Sequence, residues 1–196
     1  MLVSEQAKIH IHQYPFAATL NPILHKIIME RADKKDMGAI MTDYFSFGVP
    51  EFEKIGNYAL NLIRGWEWSI ETPVILDDTL TLCNIWGQWY RKGDFQIAHT
   101  HYPNQWSFVY FVNTPRGSSP LVFSRSKKKV AAKAGNMVIF PAWVRHQVPP
   151  NKCQERSVVA GNFYYKNRST PQYRSNSVYD ALWCLPLLSL FKKPLY

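Results

Sequence analysis

The spacing of apolar positions along this chain changes once, near residue 80. Before that point it is helical. Ile23, Leu24, Ile27, Ile28 and Met29 form a stripe in which residues three and four apart share a face. Asn21 and Pro22 stand before it as the expected N-cap and first helical residue. The stripe fades into the charged residues 31–36. A second helix is expected from Pro50, with Glu51 and Glu53 where carboxylates favour the positive end of the helix dipole. Phe52, Ile55, Ala59, Leu62 and Ile63 supply its buried face, and Gly65 its stop.

Beyond residue 80 the period becomes strand-like. Segments 80–86, 106–112, 121–124, 136–140 and 157–165 are short, rich in β-branched and aromatic residues, and separated by Pro, Gly and Asn. Such spacing without intervening helices predicts an antiparallel sandwich or barrel, the group that includes jelly rolls. The expected fold class is therefore mainly β with N-terminal helices. Residues 1–79 brace a β core over 80–166. A tail, 167–196, is polar to Ser177 and apolar after it, and is expected to dock on the core or on a partner subunit. Its run 181–191 is the candidate surface for a homodimer. A length of 196 residues, 46% hydrophobic and 15% aromatic, suits one domain with a substantial core.

Charge and cysteine content change the picture modestly. The net charge of +9 sits largely in short clusters: Lys34 with Lys35, Arg125 with Lys127, Lys128 and Lys129, and Lys192 with Lys193. Clusters of this size usually serve as solvated turns and tails, with an acidic partner as the alternative use. Nucleic acid is not the expected partner, because the aromatic residues fall inside strands rather than among the basic clusters. Cys83, Cys153 and Cys184 are odd in number and form no CxxC, so they read as free or buried thiols in a reducing compartment. Residues 1–16 lack the apolar core of a signal peptide, and the run 181–191 is broken by Pro186 and too short to span a bilayer. A soluble cytoplasmic protein is expected.

The candidate chemistry lies in the β region. His99 and His101 stand at i and i+2 of an extended segment, so their imidazoles point to one face. An apolar strand from Gly135 runs through Pro141 and a short turn to His146, a third imidazole brought from a distant strand. Three neutral imidazoles suit iron and leave half of an octahedral shell open. Arg156 follows ten residues after His146, at the start of another strand. His10 and His12 repeat the i, i+2 spacing without a third ligand. They and His25 read as structural or surface residues.

HxH, a distant histidine and an arginine ten residues on make a pattern that resembles the Fe(II)/2-oxoglutarate-dependent dioxygenases. More narrowly, Trp86, His99-Thr100-His101-Tyr102-Pro103-Asn104, Ser107 and Tyr110, with Phe140-Pro141, His146, Glu155-Arg156 and Asn162-Phe163, resemble a small bacterial and phage branch related to the prolyl 4-hydroxylases. The resemblance spans about residues 80–165. It implies a double-stranded β-helix (jelly roll) in which His99, His101 and His146 hold Fe(II) and Arg156 clamps the distal carboxylate of 2-oxoglutarate. A planar guanidinium can bind that group through two parallel bonds. It also implies consumption of O2, release of succinate and CO2, and hydroxylation of an amino-acid side chain, free or peptidyl, with proline among the candidates. In a phage-encoded protein the setting would be the host cytoplasm. Asn162 shares a strand face with Arg156, and Asn84 shares one with Trp86; both asparagines are candidate co-substrate contacts, with a structural hydrogen bond as the other reading of Asn162. Ser107 and Tyr110 fall on opposite strand faces, so at most one lines the pocket. The chain departs from the usual pattern at His101, where most members carry Asp or Glu, and Asp94 is the alternative carboxylate.

Two other functions compete. A cupin-type three-histidine metalloprotein would share the jelly roll, but its glutamate falls on Gln105 or Trp106 and one of its glycines on Trp143. It also gives Arg156 no task. A basic β-sandwich binding module would make the histidines incidental.

Overall fold

The change of period near residue 80 separates helices from most of the sheet, but strands also form before it. The computed structural model describes residues 7–36, 38–67 and 79–166. Strand β1 (His10–Gln13), helix α1 (Ala17–Arg31), strands β2 (Lys34–Asp36) and β3 (Ala39–Met41), and helix α2 (Pro50–Glu67) come first. Strands β4 (Thr79–Arg91), β5 (Gln96–His99), β6 (Trp106–Asn113), β7 (Leu121–Phe123), β8 (Lys129–Val130), β9 (Asn136–Pro141), β10 (His146–Val148) and β11 (Glu155–Lys166) follow. They make a seven-stranded sheet, β1-β9-β6-β11-β4-β3-β2, and a four-stranded sheet, β5-β10-β7-β8. Neighbouring strands run antiparallel in both. This is the expected jelly roll, and the N-terminal segment contributes three strands to it as well as two helices.

The larger sheet is covered on both faces, which is why its strands read as nearly continuous apolar runs. On one face Ile85, Tyr110, Ile139 and Val159 pack against Leu24 and Ile28 of α1 and Phe52, Ile55, Ala59 and Ile63 of α2. On the other, Trp86, Phe111, Phe140 and Val158 meet Leu121, Phe123 and Val148 of the smaller sheet. Gly87 permits the close approach of the helices. A Cβ there would lie 2.6 Å from Ile28 Cγ1 and 3.1 Å from Phe52 Cζ.

Helix α2 begins at Pro50 as expected, and Glu53 accepts a hydrogen bond from the Gly48 amide at 2.9 Å. Helix α1 does not begin at Asn21. It starts at Ala17 and carries Pro22 within it. Asn21 is engaged elsewhere: its Nδ2 donates to the Val112 carbonyl at 2.9 Å, and its Oδ1 accepts from the Tyr110 hydroxyl at 2.6 Å. Pro22 removes one amide donor from the second turn, and the buried contacts of Leu20, Leu24 and Ile28 hold the helix regardless. The charged stretch after α1, read as a solvated turn, stays exposed at Lys34 and Lys35 but forms β2 and pairs with β3.

Cys153 is a buried free thiol, whereas Cys83 is disulfide-bonded, which corrects the expectation of three reduced cysteines. Among the described residues no helix is long and apolar enough to cross a membrane. The expected docking of the tail concerns residues 167–196, which lie outside the described ones.

Candidate active site

Strands β5 and β10 pair so that His99 and His146 are direct register partners, and their ring centroids lie 4.4 Å apart. His101 stands two residues beyond the end of β5, in a turn rather than on the strand face its spacing suggested. Its amide donates to the Ala142 carbonyl at 2.8 Å, and Asn104 Nδ2 donates to its carbonyl at 3.0 Å. These bonds swing the His101 ring to 4.8 Å from His99 and 5.1 Å from His146. One nitrogen from each of the three rings lies within 4.8 Å of the others.

The tautomers of two rings follow from their partners. His99 Nδ1 is 2.8 Å from the Ile97 carbonyl and His146 Nδ1 is 2.9 Å from the Val144 carbonyl. A carbonyl oxygen only accepts, so each Nδ1 carries the proton and each Nε2 keeps a lone pair for a metal. Burial keeps all three rings neutral at pH 7. It lowers His146 to about 3, with His99 adding to the effect. It also holds His101 well below the usual histidine range, aided by its two histidine neighbours. Burial lowers His99 as well, partly offset by the bond to Ile97.

Asp94 lies outside this group. Its carboxylate accepts from the Arg91 amide at 2.8 Å and pairs with Lys35 at 3.3 Å and Arg91 Nε at 3.6 Å, which ties β2 to the turn before β5. His10 stacks on Trp66 at 3.8 Å, and His25 Nδ1 lies 2.9 Å from Ser157 Oγ on the helix-facing side of the sheet. Neither joins the cluster.

Arg156 enters the roll from β11, opposite Tyr90 of β4, and is fully buried. Its guanidinium lies 4.5 Å from the Tyr90 ring centroid and 5.4 Å from that of Phe111. The Tyr90 hydroxyl donates to Gln88 Oε1 at 3.0 Å and lies close enough to Arg156 to favour its charge, but among the described residues none of the three guanidinium nitrogens has a hydrogen-bond partner of good geometry. Burial lowers the pKa of Arg156, yet a guanidinium remains protonated at neutral pH. A buried cation with unused donors is costly, and an anion would offset that cost.

Sequence reasoning missed the residues that place this arginine. Asn151, 2% exposed, donates from Nδ2 to the carbonyls of Tyr90, Arg91 and Cys153 and accepts from the Ser119 amide. It thereby locks the loop before β11 to the end of β4. Tyr90 and Phe111 were findable by strand alternation from Trp86 and Val109, but nothing local marked Asn151.

Asn84, Ser107 and Asn162 come together on three neighbouring strands. Ser107 Oγ donates to Asn162 Oδ1 at 2.7 Å, and Asn162 Nδ2 donates to Asn84 Oδ1 at 2.8 Å. Tyr110 lies on the opposite face, in the helix-facing core.

A jelly roll with three converging neutral imidazoles, and an unpaired buried guanidinium in the same interior, fits a divalent metal together with a small dianion. The fit rests on donor chemistry: imidazole nitrogens for the metal and a planar fork for a carboxylate. No family model and no curated protein matches the sequence. Solved structures do match. The fold is similar to that of the viral collagen prolyl hydroxylase of Paramecium Bursaria Chlorella virus-1 in complex with 2OG. The TM-score is 0.63 at 12% identity, covering 79% of this chain and 94% of that one. It is also similar to a Pseudomonas putida prolyl-4-hydroxylase, with a TM-score of 0.59, 16% identity, and 82% and 94% of the two chains covered. HygX of Streptomyces hygroscopicus, solved with nickel, 2-oxoglutarate and hygromycin B, gives 0.60 at 11% identity over 86% of each chain. At these identities the likeness establishes the fold, the one used by 2OG-Fe(II) oxygenases.

Proposed function

We propose that this protein is an Fe(II)- and 2-oxoglutarate-dependent oxygenase that hydroxylates an amino-acid side chain, free or within a peptide, with proline the first residue to test. The observation that carries this reading is Arg156, fully buried in a three-histidine jelly roll with every guanidinium donor unpaired. A cupin-type centre has no use for it; a co-substrate with a distal carboxylate does. His99, His101 and His146 would hold Fe(II), and Arg156 the distal carboxylate. Bound iron and 2-oxoglutarate would supply, with O2 as oxidant, the chemistry that releases succinate and CO2 and puts one oxygen atom into a substrate C–H bond. The chain supplies placement and a dry interior. Three imidazoles bring no negative charge, so neutralisation of the metal falls to the co-substrate.

Asn84 and Asn162 take a different role in this reading. Asn162 lies six residues along β11 from Arg156, about 20 Å at strand rise, too far for one five-carbon diacid to reach both. The two asparagines and Ser107 brace β4, β11 and β6 at the other end of the roll. Proteins of similar fold include a viral collagen prolyl hydroxylase, a Trichoplax adhaerens prolyl hydroxylase bound to a peptide fragment, and HygX bound to hygromycin B, so the screen covers both peptides and small molecules. The test has two stages. Anaerobic Fe(II) and 2-oxoglutarate should produce a metal-to-ligand charge-transfer band, and a screen of free amino acids and proline-containing peptides should then show succinate formation. Metal binding without the band would favour a cupin-type centre, and no metal binding a plain binding module.

A further inference from the structure

Nearly all of the net positive charge of this chain arises from one segment. Residues 95–154 hold eight lysines and arginines and no aspartate or glutamate, while the other 15 basic residues balance all 14 acidic ones. That segment builds the whole of the smaller sheet, β5-β10-β7-β8. A surface that serves solubility alone mixes both signs, whereas a field of one sign steers a partner of the other. Four of the eight cations, Arg125, Lys127, Lys128 and Lys129, stand exposed between Phe123 of β7 and Val130 of β8. The turn is tight: the Lys127 amide donates to the Phe123 carbonyl at 2.8 Å, and the Phe123 amide to the Lys128 carbonyl at 2.9 Å. Lys127 sits at a φ of 59°, a conformation that glycine fills more easily, and it keeps a charge where glycine would have none.

Strand register places this turn at the histidine end of the roll. Phe123 is the direct partner of His146, and the next residue, Ser124, donates its amide to the Arg145 carbonyl at 2.9 Å. Arg145 is itself exposed, and it lies close enough to His99 to disfavour a charge on that ring. Of the three histidines His101 is the least covered. The bond from its amide to Ala142 joins the two stretches that carry Tyr102 and Trp143, which are 62% and 45% exposed. Among the described residues none of Arg125, Lys127, Lys128, Lys129 and Arg145 is ion-paired. We infer that the substrate of this site is an acidic peptide, its carboxylates docking on Arg145 and the 125–129 turn while the residue to be modified enters past Tyr102 and Trp143 at His101. The inference rests on the oxygenase reading above and names its substrate class. Five cations on one rim exceed what a single small carboxylate neutralises, so a chain bearing several carboxylates fits better than a free amino acid. The exposed aromatics stand beside the histidines rather than among the lysines, unlike a platform that stacks successive bases, which favours a peptide over a nucleic acid.

Fluorescence anisotropy of the full chain, loaded with Mn(II) and 2-oxoglutarate, tests this without turnover. The probes are a labelled peptide with one proline flanked on each side by four glutamates, its counterpart with glutamine at every glutamate, and a labelled oligothymidylate. The glutamate peptide should bind, should weaken as salt rises from about 50 to about 300 mM and screening lengths shorten, and should bind more tightly than either other probe. Combining Arg125→Ser, Lys128→Ser and Lys129→Ser should weaken it about 3- to 100-fold, as expected for the loss of three exposed charge pairs. Lys26→Ser combined with Lys54→Ser, on the two helices, should change its affinity by less than about twofold. The triple variant should keep the anaerobic Fe(II) and 2-oxoglutarate charge-transfer band, which shows the fold and the metal site intact. Equal binding of the glutamine peptide, tighter binding of the oligothymidylate, or equal weakening by the helix variant would overturn the inference. Absence of the charge-transfer band in the unsubstituted protein would instead bring down the oxygenase reading on which this one rests.

Discussion

Replacing Arg156 with Met should make the ligand-free protein more stable and the liganded protein less so. The guanidinium is fully buried, and its Nε, Nη1 and Nη2 are unpaired. The residual penalty of a desolvated charge in a protein is several kcal/mol. Stacking against Tyr90 and Phe111 returns about 0.5–2 kcal/mol for each ring. Methionine fills similar space without charge, so Arg156→Met should stabilise the ligand-free fold by about 1–3 kcal/mol. At about 2–4 °C per kcal/mol for a chain of this size, Tm should rise by about 2–12 °C. The same substitution removes two charge-assisted bonds worth about 1.5–3 kcal/mol each, so 2-oxoglutarate should bind about 10²- to 10⁴-fold more weakly. Thermal unfolding with Mn(II), with and without 2-oxoglutarate, reads both effects. The unsubstituted protein should gain about 2.7 kcal/mol at a hundred times Kd, and the variant almost nothing at that concentration. A variant that melts lower without ligand and binds 2-oxoglutarate as before would refute the reasoning, because Arg156 would then be a structural residue.

Three further outcomes are expected. His101→Ala should lose Mn(II) affinity by at least about 100-fold, since even outer-sphere partners of metal ligands are worth 10- to 100-fold. His101→Asp should retain binding, and titration of both variants checks whether this position is a ligand. The folded state holds His146 near 3 against about 6.5 unfolded. The unfolded chain therefore binds the extra proton, and the metal-free protein should lose stability as pH falls from about 6.5 towards 3. His146→Gln should flatten that slope in Tm measured against pH, and an unchanged slope would show that His146 is not held neutral. Asn162→Leu should destabilise the fold by about 1–3 kcal/mol, because it takes the acceptor from the buried Ser107 hydroxyl. Its effect on 2-oxoglutarate affinity should stay within about twofold, and a large loss there would return Asn162 to the co-substrate site.

Local pattern determined a good deal of this protein. The stripe of Phe52, Ile55, Ala59 and Ile63 specifies α2, because side chains at those intervals must share a helix face. The strand segments after residue 80 specify a β sandwich, and the spacing of His99, His101, His146 and Arg156 specifies the candidate site, because the chemistry needs those donor types and few folds supply them so spaced. What pattern could not reach depends on residues far apart in the chain. Asn21 looks like a helix cap until Tyr110 and Val112 are brought to it by folding. Lys34 and Lys35 are exposed, as a solvated charge run should be, but their backbone pairs with β3, which no local pattern signals. His101 reaches its neighbours through a turn bonded to Ala142, not through strand alternation. Above all, only the tertiary structure decided that Arg156 is buried with none of its guanidinium nitrogens hydrogen-bonded among the described residues. Burial and hydrogen-bond satisfaction are properties of the assembled interior, since they depend on which distant groups arrive, and no local spacing encodes them.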